Sequence, residues 1–211
     1  MQKAGIAGTD VLLVVDVHND FCTGGALGVP GGEELVRPIN RLLHVFPHSV
    51  LTQDWHPAGH ASFASVHLGR RPHETIEFAY GPQILWPDHC VQGTVGAAFH
   101  PDLDTDRAEL VLRKGFHAGI DSYSAFFEND RATPTGLGGY LCERGFQRIF
   151  LCGLATGFCV AWSGLDARRQ GFEVAVLIDA CRAIDLHGPL QEAMKELSAA
   201  GAEIEESTAL F

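Results

Sequence analysis

Apolar residues along this chain fall in short unbroken runs, separated by stretches in which they recur with helical period. Val11–Val15 is a run of five strong apolar residues closed by Asp16, the pattern of a strand buried on both faces. Val36, Ile39, Leu42, Leu43 and Phe46 lie at helical spacing, with Pro38 near the start of the segment, where a proline is tolerated. Ser49–Gln53 and Glu109–Arg113 read as two further strands. Gly136–Arg144 reads as a helix and Arg148–Cys152 as a strand. Cys159–Arg169 reads as a helix that stops before Gly171. Glu173–Ile178 is a strand, Leu190–Ala200 a helix ending at Gly201, and Glu203–Glu205 a last short strand. Strands alternating with helices predict an α/β fold with βαβ units and a mainly parallel sheet. Residues 54–108 break the pattern. They are rich in Gly, Pro and His, and their periodicity is weak. A long irregular segment inside a compact domain is usually functional or disordered, and its tryptophans and histidines weigh against disorder.

The length of 211 residues and hydrophobic fraction of 46% suit one domain, residues 1–211, with a sizeable core. The net charge of -11 argues against a nucleic-acid partner. The early apolar run is cut at once by Asp16, so it is neither a signal peptide nor a membrane span. Cys22, Cys90, Cys142, Cys152, Cys159 and Cys181 form no C-x-x-C pair and have irregular spacing. They are read as free thiols in a reducing cytoplasm rather than as a disulfide framework. The expected partner is a small-molecule substrate, without nucleic acid or membrane. Homo-oligomerisation is compatible with the sequence.

Three strands end on, or lead directly to, groups that carry chemistry. Asp16 follows the first, Lys114 follows Glu109–Arg113, and Cys159 lies just past Arg148–Cys152. In open α/β sheets the ligand site lies at the carboxyl ends of the strands. An acid, an amine and a thiol at one such edge suggest an activated cysteine nucleophile. A helix start at Cys159 would lower the thiol pKa and offer N–H donors to an oxyanion. Taken singly, Cys159 reads rather as a small buried residue, Asp16 as a cap and Lys114 as a surface lysine, and it is their meeting at one edge that reverses the reading. Asp54 and His56 point to the same side of an extended segment, and His60 and His89 share the irregular stretch. One carboxylate with imidazoles suits Zn²⁺, Fe²⁺ or Mn²⁺, although an isolated Asp-x-His more often binds nothing. His67, His73 and His100 have no such context. Phe21, Trp86 and Tyr123 fall in loops flanking these residues. Core packing is their default, and a flat ligand held between them is the sharper reading.

Val15-Asp16-Val17-His18-Asn19-Asp20-Phe21, Asp54-Trp55-His56-Pro57, Arg113-Lys114-Gly115 and Gly153-Leu154-Ala155-Thr156-Gly157-Phe158-Cys159-Val160, together with Val29-Pro30-Gly31-Gly32, resemble the nicotinamidase family of the isochorismatase-like hydrolases. The resemblance spans essentially the whole chain. It implies a three-layer α/β/α sandwich with a six-stranded, mostly parallel sheet, and a catalytic triad of Cys159, Asp16 and Lys114. It implies one divalent metal ion per chain on Asp54, His56 and His89, with Zn²⁺ expected first and Fe²⁺ or Mn²⁺ as alternatives. His60 would stand behind those ligands, and Phe21, Trp86 and Tyr123 would line a pyridine pocket. The backbone N–H groups of Ala155 and Cys159 would form the oxyanion site, with a cis peptide between Ala155 and Thr156. The implied activity is hydrolysis of nicotinamide, and of pyrazinamide, in NAD salvage. Two positions depart from the family pattern: His18 where Gln is common, and Gly157-Phe158 where Asp-Tyr is common. Neither is expected to carry the chemistry. The rival readings are an amidohydrolase acting on a non-pyridine carbamoyl group, a silent scaffold on the same fold, and a sulfur-dependent redox protein.

Overall fold

The computed structural model describes residues 5–184 and 189–211. Among the described residues eight strands appear in chain order: β1 (Asp10–Val15), β2 (Ser49–Asp54), β3 (Thr75–Phe78), β4 (Gly81–Ile84), β5 (Leu110–Lys114), β6 (Arg148–Leu154), β7 (Glu173–Arg182) and β8 (Glu203–Glu205). Four α-helices join them: α1 (Val36–Val45), α2 (Leu137–Glu143), α3 (Ala161–Arg169) and α4 (Pro189–Ala199). Six strands form one sheet in the order β5-β2-β1-β6-β7-β8, and every pairing in it is parallel. The expected α/β architecture with a six-stranded sheet flanked by helices is therefore present.

The central strands are covered on both faces. All six residues of β1 are buried, as are all but the first of β6, which is why both read as continuous apolar runs rather than alternating ones. The edge strand β5 alternates partly buried with exposed positions until Lys114, which is buried. Helix α1 turns Val36, Ile39, Leu42 and Leu43 inward. It ends where Phe46 swings to extended backbone, ψ 129°, as the residue before a proline prefers to do.

Two features of the sheet position the functional edge. The strand order reverses between β1 and β6, which makes their carboxyl ends the switch point where ligands collect in open α/β sheets. Gly153 in β6 pairs with Val15 at φ +114°. A Cβ there would sit 2.1 Å from the Val15 carbonyl oxygen, so only glycine lets the strands approach. The register of β6 against β7 shifts at this point, turning the chain out of the sheet toward Cys159.

The irregular segment contains structure that its sequence pattern does not announce. Strands β3 and β4 form a separate antiparallel hairpin. The segment is stitched down by Trp55 N–H to the Lys114 carbonyl (2.9 Å), His56 N–H to Cys90 (3.0 Å) and Trp86 N–H to Ser62 (2.8 Å). The helix predicted to begin at Cys159 is instead one wide π-turn, Thr156–Val160, followed by α3. The cis peptide is Leu154–Ala155, one residue before its expected place. Among the described residues no helix is long and apolar enough to cross a membrane.

Candidate active site

Asp16 follows β1, Asp54 ends β2, Lys114 ends β5, and the turn after β6 delivers Cys159. Neighbouring parallel strands place these four side chains along one sheet edge. Lys114, 1% exposed, is the hub. Its Nζ lies 2.8 Å from Asp16 Oδ2 and 2.9 Å from Asp54 Oδ1. It also donates to the Ser122 carbonyl at 2.9 Å and reaches Cys159 Sγ at 3.6 Å. Asp16 adopts a left-handed backbone, φ +49°, which Asp tolerates better than most residues. Thr52 clips it there, its hydroxyl donating to Asp16 Oδ1 at 2.6 Å and accepting the Asp16 N–H at 3.1 Å.

The charges follow from this geometry. Burial, the largest single influence, opposes an ionised Asp16, but the Lys114 ammonium and the neighbouring His18 together outweigh it and hold the carboxyl below its ordinary range. Burial likewise opposes a charged Lys114, and the two carboxylates reverse that and raise its pKa well above normal. Cys159 departs from expectation. Burial pushes its thiol well up, Lys114 pulls the other way, and Asp16 and Asp54 add to the rise. The expected lowering by a helix start is absent because Cys159 lies in the π-turn, enclosed beside two anions. Burial and the neighbouring anions thus favour a neutral thiol at rest, beside an Asp16 held in its ionised form.

Beside this cluster, Asp54, His56 and His89 bring one donor atom each to within 4.8 Å of one another, all buried. The His56 Nδ1 donates to the Gly115 carbonyl (2.9 Å) and the His89 Nδ1 to the Pro87 carbonyl (2.8 Å). Both Nε2 atoms face Asp54 Oδ2, at 3.0 and 3.4 Å. Metal-binding histidines are held in this way through the other ring nitrogen. One carboxylate and two imidazoles leave coordination positions open, and the set fits a divalent ion. His60 is turned away from it. Its Nδ1 is engaged by Ser62 and its Nε2 by the carbonyls of His117 and Ile120, while its ring packs on His56 at 4.4 Å. His67 donates to the Ala61 carbonyl, and His73 and His100 lie outside the cluster.

Cys159 and Asp54 open onto a small cavity. Phe21, Trp86 and Tyr123 line it, with Leu27, Phe158 and Ile184. The aromatic walls meet edge to face, Trp86 with Phe158 at 5.2 Å and Tyr123 with Phe158 at 5.6 Å. Tyr123 is fixed by its hydroxyl, which accepts from Trp86 Nε1 and Gln83 Nε2. Ala155 and Cys159 both line the same cavity.

Several contributors were not singled out from the sequence. Asp121 lines the cavity, accepts from Gln83 Nε2 at 2.9 Å, and stands 3.9 Å from His56 Nε2. Gly115 is required where it is: a Cβ there would lie 2.6 Å from the His56 ring. Gly115 stands in the Arg113-Lys114-Gly115 motif and its need for positive φ was a usable signal. Nothing local marks Asp121, Gln83 or Thr52, because their partners are distant in sequence.

The Isochorismatase domain family model matches residues 10–209. The nicotinamidase of Acinetobacter baylyi is 55% identical over 91% of this chain and 90% of its own length. A solved nicotinamidase/pyrazinamidase structure from Acinetobacter baumanii superposes with a TM-score of 0.96 at 52% identity, covering 97% of this chain and 99% of that one. The pyrazinamidase of Pyrococcus horikoshii in complex with zinc gives a TM-score of 0.75 at 33% identity, covering 94% and 99%. A sheet edge carrying acid, amine and thiol beside a buried metal-donor set thus lies on a chain that belongs, over nearly its full length, to the isochorismatase family.

Proposed function

We propose that this chain, acting as one domain over residues 1–211, hydrolyses nicotinamide to nicotinate and ammonia, and pyrazinamide likewise, as a step of NAD salvage in a reducing cytoplasm. The observation that carries the reading is the Lys114 ammonium within reach of both Asp16 and Cys159, with Cys159 lining a small aromatic cavity. Similarity to the two Acinetobacter enzymes supports the substrate.

In this reading Asp16 takes the Cys159 proton as sulfur attacks the carboxamide carbon, breaking the C=O π bond and placing charge on oxygen. The N–H groups of Ala155 and Cys159 receive that oxyanion. Asp16 then protonates the departing nitrogen, the C–N bond breaks, and ammonia leaves a thioester on Cys159. Asp16, again ionised, takes a proton from water as its oxygen attacks the thioester. Nicotinate is released and the thiol restored. Lys114 stays charged throughout and steadies whichever of Asp16 or Cys159 is anionic. Phe21, Trp86 and Tyr123 sandwich the ring. Asp54, His56 and His89 would hold one Zn²⁺, with His60 packed behind them; the donor set and the zinc complex of the Pyrococcus relative support that ion. When bound, it supplies a Lewis-acidic anchor for the pyridine nitrogen and fixes the ring as a template.

The test is ammonia release from nicotinamide, benzamide and a ureido compound, each with and without chelator. Nicotinamide is expected to be turned over fastest, and its turnover to fall on metal removal. Equal rates with benzamide, or indifference to chelation, would overturn the proposal.

A further inference from the structure

We infer that His18 is a positioning residue that sets the main chain of Asp54, and with it the direction in which the Asp54 carboxylate meets Lys114 and the metal. The inference rests on the proposed metal site and extends it to a side chain that touches neither metal donor atoms nor substrate.

His18 is fully enclosed, 0% exposed. Its Nε2 accepts the Asp54 backbone N–H at 3.0 Å. An imidazole that accepts through Nε2 carries its hydrogen on Nδ1. That Nδ1 has no hydrogen-bond partner among the described residues. A buried donor without an acceptor is a standing cost of folding, and a leucine would fill the space without one. What the histidine provides in return is the acceptor for Asp54, whose N–H would otherwise be buried and unpaired. The same residue holds the neighbouring acid, because the His18 N–H donates to the Asp16 carbonyl at 3.0 Å. Its ring nitrogen passes 3.7 Å from Asp16 Oδ1, beyond hydrogen-bond range. On its other sides the ring packs on Phe99 and Phe21, at 5.2 and 5.8 Å between centroids, and Phe21 lines the cavity.

Asp54 is the one carboxylate that divides its oxygens between the two halves of the site: Oδ1 faces Lys114, and Oδ2 faces His56 and His89. A small rotation of its backbone moves both oxygens together. Fixing its N–H therefore fixes the orientation of metal donors and catalytic lysine with a single bond.

The test compares His18→Gln, His18→Asn and His18→Leu in the full-length protein. The terminal amide of glutamine reaches the place of Nε2, whereas that of asparagine reaches only the place of Nδ1. Zn²⁺ affinity is read by competition with a chromophoric chelator, alongside kcat, KM and melting temperature. His18→Gln is expected to bind Zn²⁺ within about threefold of the parent. His18→Asn and His18→Leu are expected to bind it roughly 10–100-fold more weakly, the usual consequence of losing a group that orients a metal ligand. KM should rise with that loss more than kcat falls. A merely structural role would instead rank the variants by melting temperature, with leucine best, and leave metal affinity alone. Parental affinity in the asparagine or leucine variant, or a loss in the glutamine variant equal to that of leucine, overturns the inference. A parent protein that binds no stoichiometric Zn²⁺ overturns the underlying metal reading instead, before any variant is compared. Should the leucine variant not fold, the glutamine and asparagine pair decides.

Discussion

Replacing Lys114 by methionine removes the charge and nearly keeps the length of the side chain. Asp16 would then be enclosed with the Thr52 hydroxyl on Oδ1 and no cation on Oδ2. Breaking a buried ion pair from one side costs about 3–5 kcal/mol, or roughly 6–20 °C in Tm for a chain of this size. The catalytic loss follows from the sulfur. A unit charge 3.6 Å from a thiolate is worth about 4–5 kcal/mol at an effective dielectric near 20, which is a little over three decades in rate. The stability effect also has a sign in pH. In the parent, the Asp16 carboxyl is held low against the pull of burial, chiefly by Lys114. Its contribution is present above the unfolded pKa and lost as pH falls through the folded value. Without Lys114 burial dominates, the folded pKa lies above the unfolded one, and the variant loses stability as pH rises. The gap in Tm between parent and variant should therefore widen from about pH 5 to about pH 8, measured in chelator so that metal does not contribute. Lys114→Arg restores charge but not fit, since the Nζ site already has acceptors at 2.8 and 2.9 Å; it should recover less than tenfold. A Lys114→Met enzyme within tenfold of the parent in kcat/KM, with full metal content, would refute this account of the lysine.

Cys159→Ala should abolish amide hydrolysis while leaving far-UV circular dichroism unchanged, whereas Ala at Cys22, Cys90, Cys142, Cys152 or Cys181 should cost far less; residual activity within tenfold of the parent counts against a covalent route. Asp16→Asn keeps shape and hydrogen bonding but cannot shuttle a proton, so kcat/KM should fall by roughly 10²–10⁴; a near-normal rate would assign proton transfer elsewhere. Gly115→Ala forces a Cβ to within 2.6 Å of the His56 ring, at a φ of +68°. It should weaken Zn²⁺ binding by at least about tenfold, and isothermal titration showing parental affinity would contradict the crowding argument.

What could be read from the sequence were the strand ends. Val11–Val15 and Arg148–Cys152 are apolar on both faces, and their carboxyl ends announce Asp16 and the turn to Cys159. Lys114, at the end of the edge strand, was equally visible. The hairpin was not. Thr75–Phe78 is short and partly exposed, and Gly81–Ile84 contains a proline, so neither gives a clear alternation. Asp121 and Gln83 meet across 38 positions, a contact with no local signature. His18 was read as a substitution without chemical weight, because its partner is a backbone N–H on another strand. The rise of the thiol pKa is illegible in the sequence for a related reason: it depends on burial and on two carboxylates, which only the assembled edge brings to bear.

The division between sheet and insertion has a consequence for redesign. Acid and amine stand at strand termini fixed by the parallel ladder and the thiol in the turn after β6, whereas His56, Trp86 and His89 belong to residues 55–108, a segment that leaves the sheet after β2 and returns at β5. His56, His89 and Trp86 thus travel on a stretch of chain separate from the bond-breaking groups, while Phe21 and Tyr123 complete the pocket from outside it. Grafting a different insertion between Asp54 and Leu110 is a route to acyl transfer from amides that carry no aromatic ring, provided the new segment still supplies a backbone donor to the Lys114 carbonyl, where the Trp55 N–H now extends the ladder between β2 and β5.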